Sequence, residues 1–349
     1  MNSVPSPLAS ERPDNAYARN RRRSILFLLI LTAVLLGAVL LSLRAGSYDT
    51  PVRELLKAVF GKSQDKKINL VVRNNRLPRI CTAALCGGGL GLAGCILQAI
   101  LRNPLASAST LGVSQGATFG AAFAIVTLGL TAGVGIPLCA FLGSMAVAAL
   151  ILFLSRIRRI SPEGIVLAGV AVSSMLTGAT TLLQYFADEV QLATLMFWTF
   201  GDLGSTDWQD LRAIGALAAL LCVYCWLHRW DYNALLSGEE TAVSLGINVR
   251  NLTLMNMTLC CLVCSVIVSN IGLISFIGLV APHIVRMAVG NNHVYVIPGS
   301  VLAGAALLLL GDLFGRTVMA PVILPIGAIT SFLGGPLFLY LLFKGGKSQ

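Results

Sequence analysis

From Asn103 to Ser155 the chain carries no charged residue at all. A soluble fold has no place for such a stretch, because its surface elements must turn a polar face to water. A bilayer does, since a helix needs about 20 mainly apolar residues to cross the hydrocarbon core. The pattern recurs in Ser24–Leu43, Ile80–Leu101, Gly164–Ala187, Ala213–Leu227, Asn251–Val285, Met287–Gly311 and Thr317–Phe343. The runs 103–155 and 251–285 are too long for one crossing, and each contains a break, at Gly129 to Pro137 and at Asn270–Gly272. Only 11% of the 349 residues are charged, where soluble domains carry about 25%. Arg21–Arg23 before the first run resembles the flank of a signal peptide, but that run exceeds the usual core of about 7–15 residues and reads as a first span.

These runs predict an all-α membrane protein, a polytopic bundle of about ten transmembrane helices. The spans fall near 24–43, 79–100, 109–128, 137–155, 162–183, 209–227, 251–269, 273–289, 295–311 and 325–343. Residues 1–23 form a basic tail, and 24–345 form one transmembrane domain. Thr50 is a plausible cap for a short amphipathic helix over 51–60, and Leu192–Phe200 reads as a short helix at the surface. Ten spans put both termini on one side. The excess of arginine and lysine at cytoplasmic loops places Arg21–Arg23, Arg156–Arg159, Arg229, Arg250 and Lys344 in the cytoplasm. The loop 228–249 is then cytoplasmic and the segment 44–76 is outside. Residues 44–79 hold nine basic residues against three acidic ones. An exterior placement of that segment opposes the rule and points to a use for its charges.

Several local patterns lead nowhere. Gly89, Gly91 and Gly94 match a dinucleotide fingerprint, but inside an apolar helix rather than after a strand. Gly61-Lys62-Ser63 lacks the first glycine of a phosphate-binding loop, since position 56 is leucine. Cys222 with Cys225 and Cys261 with Cys264 have CxxC spacing, yet no nearby histidine completes a metal set, and a bare thiolate cluster in lipid is costly. No catalytic set, metal site or cofactor site is expected. The net charge of +10 follows from orientation signals rather than from nucleic-acid binding. Gly87 with Gly91, and Gly112, Gly116 and Gly120, repeat at every fourth position, the spacing that lets helices approach closely in lipid. The spans hold almost no ionisable residue. This disfavours the competing class, a secondary transporter, which usually keeps such groups in its bundle.

Several sequence blocks together are specific: Arg76-Leu77-Pro78-Arg79, Gly94, Gln98, Asn103-Pro104-Leu105-Ala106, Leu111-Gly112, Gly116-Ala117, Leu167 to Val170, Trp198 to Gly201 and Trp208. Gly238-Glu239, Ala242, Leu245, Gly246, Phe276 to Leu279, Pro282-His283, Arg286, Pro298-Gly299, Asp312, Arg316 and Leu324 to Gly327 complete the set. In these blocks the chain resembles the iron-siderophore and vitamin B12 permeases of bacterial ABC importers, over about 70–345. Ala108 and Asp202 depart from that pattern.

The resemblance implies a vitamin B12 importer permease-like fold in the bacterial cytoplasmic membrane. It implies a dimer with a second copy or a paralogue, two cytoplasmic ABC ATPases, and a periplasmic or lipoprotein substrate-binding protein. The cargo it implies is a ferric siderophore, with haem or cobalamin as alternatives, and the permease itself has no enzyme activity. Arg76 and Arg316 would dock the binding protein. Leu236, Gly238, Glu239, Ala242, Leu245 and Gly246 would couple to the ATPase. Gln98, Asn103, Pro104, Gly278, Pro282 and His283 would join the glycine stripes in helix packing or the pathway.

Overall fold

The computed structural model describes residues 13–45, 52–63, 65–157 and 161–345. Thr50, Pro51, Arg158, Arg159 and residues 1–12 of the expected tail lie outside them. The described chain is all helical, with no strand. Helix α1, Pro13–Arg44, begins inside the basic tail and runs straight into the first span. Then come α2 Val52–Val59, α3 Lys66–Val71 and α4 Leu77–Ile100. Helices α3 and α4 join through a widened π-type turn at Val72–Arg76, so the second span begins deeper in a longer helix than expected.

Helices α5 Val113–Ala122, α6 Gly135–Ile157, α7 Pro162–Phe186, α8 Glu189–Phe200 and α9 Trp208–Leu227 follow. Two short helices, α10 Arg229–Leu236 and α11 Glu239–Ser244, precede α12 Val249–Ile271. The chain ends with α13 Ile277–Val289, α14 His293–Thr317 and α15 Ile326–Gly345. Seven of these stretches are long and apolar enough to span, and shorter apolar helices stand at 113–127, 277–289 and 326–341. The expected ten spans thus divide into seven full-length helices and three short ones.

Both long apolar runs break at glycine. Gly129 and Gly133 take positive φ between α5 and α6, and Gly272 takes φ +76° after α12. Gly112 also has positive φ, +86°, and stands before α5 rather than in it. It is a turn residue, which corrects its expected place in the every-fourth stripe.

Helix α4 is the hub, buried on nearly every side and packed against α14, α13, α12 and α9. Its Gly87-Gly88-Gly89 would weaken a helix in water by about 1 kcal/mol per glycine relative to alanine. In lipid the backbone must be hydrogen-bonded internally, which removes the main competitor to the helix. What glycine adds is proximity. A Cβ on Gly87 would stand 2.4 Å from the Gly304 carbonyl oxygen, and one on Gly94 only 1.8 Å from that of Gly278. Helix α5 meets α6 in the same way through Gly116 and Gly120, opposite Gly143 and Cys139. The faces of α7 and α15 differ: Leu167, Met175, Leu182, Phe332 and Phe343 are exposed. Such surfaces suit lipid or another helix bundle.

Candidate functional sites at the two ends of the bundle

One end gathers the end of α1, the start of α4 with the turn before it, and the C-terminal end of α14. Asp312, almost fully buried, accepts a hydrogen bond from Arg79 Nε at 2.8 Å and one from Arg316 Nε at 2.8 Å. Two guanidiniums thus share one carboxylate in charge-assisted bonds. Arg316 also donates to the Ala45 carbonyl at 3.3 Å and to Ser42 Oγ. Arg79 extends the network to the exposed Asp202 at 3.3 Å, which gives that departure from the family pattern a partner. Arg76 is buried, and its Nη1 donates to the Leu43 carbonyl at 2.7 Å. Two expectations need correction. Arg316 lies within the last turn of α14, not beyond the span, because that helix continues to Thr317. Arg76 lies inside the continuous helical stretch from Lys66, not ahead of it.

The other end carries the 228–249 segment. Gly238 takes φ +111° ahead of α11, and Glu239 and Glu240 occupy its first turn. Acidic residues there favour the N-terminal dipole. Gly246 at φ +84° ends the helix, and the Ile247 N–H bonds back to the Ala242 carbonyl at 3.1 Å. Leu236 and Leu245 are exposed. Ala242 is fully buried, so it faces the bundle and is not on the outer surface with them. Helix α10 is tied inward twice. Tyr232 donates to Asn256 Oδ1 of α12 at 2.8 Å, and Asn233 Oδ1 accepts the His293 N–H at the start of α14 at 2.8 Å. Arg102 reaches Glu239 at 3.1 Å, joining the turn after α4 to α11.

Close to this same end, Arg286 of α13 donates to Gln98 Oε1 and to the Cys95 carbonyl, the latter at 3.1 Å. Gln98 Nε2 donates to the Gly278 carbonyl at 3.4 Å. Asn103 makes the turn after α4, its Oδ1 accepting from the Leu105 N–H at 2.9 Å, with Pro104 inside that turn. Pro282 lies within α13. His283 sets its ring 6.0 Å from Phe338, and its buried Nε2 has no hydrogen-bond partner among the described residues.

Arg79, Arg286 and Asp312 stand in the sequence blocks without a site role, and Arg102 stands outside them. The Asp312–Arg316 pair carries a sequence signal, opposite charges four apart on one helix. The others depend on long-range contacts that no local pattern encodes.

Among the described residues, seven helices long enough to span and three shorter apolar ones, packed round a glycine-rich hub, make a polytopic membrane protein. The family model of the FecCD transport family matches residues 31–344. A Methanocaldococcus jannaschii protein named as an ABC transporter permease is 44% identical, over 94% of this chain and 97% of its own. The hemin transport system permease of Yersinia pestis is 36% identical over 91% and 94%, and the Fe(3+)-citrate import permease of Bacillus subtilis is 34% identical over 95% and 98%. A solved structure described as a metal-chelate type ABC transporter, in an inward-facing conformation, aligns with TM-score 0.81 and 31% identity. That alignment covers 91% of this chain and 98% of the other. The chain belongs to the FecCD transport family. It is the multi-pass membrane subunit of a metal-chelate-type ABC importer, without ATPase activity of its own. Such an importer comprises a permease pair, ATPase subunits and a substrate-binding protein.

Proposed function

We propose that the cargo is a ferric siderophore. The observation that supports this best is chemical: relatives named for hemin and ferric citrate handle iron complexes, and the ionisable residues of the span helices, such as Arg76, Arg79, Arg286, Asp312 and Arg316, stand near helix ends, leaving the middles neutral. An iron already saturated by its chelator needs no protein ligands along its route, and neutral walls avoid holding it. Haem and cobalamin are the alternative cargoes.

Both termini face the cytoplasm, and the segment 44–76 faces the binding protein. Arg76 and Arg316 receive carboxylates of that protein, arginine being suited to bidentate pairing. An incoming carboxylate reaches Arg316 in competition with Asp312. The 228–249 segment faces the ATPase, with Leu236 and Leu245 as its apolar contacts. Helix α10 passes motion inward through Asn256 and His293.

The test is ATP-driven uptake by vesicles holding the permease pair and its ATPases, supplied with the cognate binding protein. Radiolabelled ferric siderophore, haem and cobalamin are offered in turn. Uptake of the siderophore alone supports the proposal, and uptake of haem or cobalamin in its place sinks it. Double substitution of Arg76 and Arg316 by alanine should remove about 2–5 kcal/mol of docking free energy. Unchanged affinity for the binding protein would overturn the docking assignment.

A further inference from the structure

At the end that carries α10 and α11, a cavity of about 790 Å³ opens between the ends of α4 and α6 and the starts of α7 and α12. Its floor is apolar and buried, built by Ile100, Leu101, Ile165 and Leu235. Its mouth is basic, with Arg102, Arg156 and Arg250 around it. The one carboxylate in the lining, Glu239, is already paired with Arg102. Arg156 and Arg250 are exposed and have no ion-pair partner among the described residues. Arg102 is held at φ +45°, a backbone conformation few residues with a side chain adopt. Its neighbour Glu163 stands at the start of α7, outside the lining.

The same end of the bundle bears the marks of a membrane–water boundary. Trp226 and Trp230 are exposed, and the Arg229 guanidinium lies 4.8 Å and 5.6 Å from their ring centres. Tryptophan and arginine together characterise the headgroup level. A cavity at that depth, basic above and apolar below, has the polarity of a phospholipid turned over: anion outward, hydrocarbon inward.

We infer that this cavity binds an anionic phospholipid, its phosphate between Arg156 and Arg250 and its glycerol and first acyl carbons over Ile165 and Leu235. Basic pockets between transmembrane helices take anionic headgroups in this way. A free phosphate ion would use the two arginines and leave the apolar floor against water. A segment of the ATPase would have to bring both an acidic group and an apolar one. The lipid carries both and is always present at this depth.

The test uses the full-length permease with its ATPase subunits in vesicles of phosphatidylcholine containing a minor fraction of photoactivatable phosphatidylglycerol. After irradiation, cross-linked peptides are mapped. The expected result is labelling of the peptides around Arg156–Ile165 and Val249–Leu254. The double variant Arg156→Gln, Arg250→Gln should lower it about thirtyfold, the effect of removing two arginine contacts to an anionic headgroup. Labelling near Trp226 and Trp230 should persist, which controls for folding and insertion, and the matching photoactivatable phosphatidylcholine should show no enrichment at the cavity. Equal labelling by both lipids, or equal labelling of variant and parent, overturns the proposal. So does displacement of the lipid by millimolar inorganic phosphate, which would make this a site for a soluble anion. Labelling present in vesicles of the permease alone but absent when the ATPase is assembled also overturns it, since the ATPase would then fill the cavity.

Discussion

The two ends of this bundle treat their charged groups differently. At the arginine end, charges are satisfied within the chain: Asp312 is 1% exposed and bridges Arg79 and Arg316, while Arg76 is turned inward onto a carbonyl. At the short-helix end, apolar groups are left outside: Leu236, Val243 and Leu245 are 51%, 57% and 67% exposed. That end is held to the turn after α4 by one solvent-accessible ion pair, Arg102 with Glu239. At the first end a partner must compete with ion pairs already made, although Phe60, Met319 and Val322 are left exposed there too. The second is incomplete, and a partner would gain by covering it. Stability should therefore depend heavily on Asp312 at the first end and little on the exposed leucines of the second.

The most severe way to break this contrast is Asp312→Ala. It leaves two largely buried guanidiniums without their shared carboxylate, and breaking a buried pair costs about 3–5 kcal/mol. Leu245→Asp at the other end should change the stability of the permease by about 0.5 kcal/mol or less, as exposed substitutions do. Thermal unfolding of both variants in one detergent gives the comparison directly. Equal shifts would mean that the arginine end is no more self-contained than the other. The same Leu245→Asp sample, mixed with the ATPase, should fail to hold it, because the new charge would be buried unpaired in the contact.

Next in size is the rod that joins the ends. Gly94→Ala places a methyl 1.8 Å from the Gly278 carbonyl oxygen, a backbone atom that cannot move unless α13 moves with it. Overpacking of this kind costs about 1–3 kcal/mol, occasionally more. Gly178→Ala in α7 meets nothing within 4 Å and should be neutral or slightly stabilising, since alanine is the better helix former. Similar expression and melting of the two variants would show that α4 does not hold the ends in a fixed relation.

Much of the helical plan was legible because lipid imposes it: a charge-free run has only one stable backbone arrangement in a bilayer. The breaks at Gly129 and Gly272 were legible for a related reason, since glycine at positive φ ends helices cheaply. Boundaries set by polar caps were harder. Helix α8 starts at Glu189, ahead of the expected Leu192, because Asp188 and Gln191 form a reciprocal capping box that a hydropathy reading passes over. The late end of α14 has a different origin. Asp312 and Arg316 look like loop residues by charge, but they neutralise each other one turn apart and the helix continues through them. Gly112 shows the limit of spacing arguments, since it shares a period with Gly116 and Gly120 without sharing their helix. Of the sites, Arg76 and Arg316 could be named from local blocks. Asp312 stands one turn from Arg316 and could be read as its partner; that Arg79 shares the same carboxylate could not, because Arg79 and Asp312 lie far apart in the chain and meet only through the packing of α4 on α14.

The smallest effect concerns the single ion pair at the short-helix end. Arg102 and Glu239 are 42% and 55% exposed, and exposed pairs contribute about 0.2–1 kcal/mol in double-mutant cycles. The relevant cycle is Arg102→Gln, Glu239→Gln and the double variant, melted at low and high salt. A coupling within that range, shrinking as salt rises, is expected, because solvent-exposed charges are screened over a Debye length of about 10 Å at 0.1 M. The sign of the two single variants carries further information. Arg102 is held at positive φ, and glutamine relieves none of that backbone cost, so Arg102→Gln should lose the pair and regain nothing. Glu239 also sits in the first turn of α11, where a negative charge favours the helix dipole by about 0.3–1 kcal/mol. Glu239→Gln should therefore cost more than Arg102→Gln, and the excess should survive in the Arg102→Gln background. A coupling of several kcal/mol, insensitive to salt, would place this pair in the same category as Asp312 with its arginines. The short-helix end would then be as internally completed as the arginine end, and the contrast between them would fail at its own weakest link.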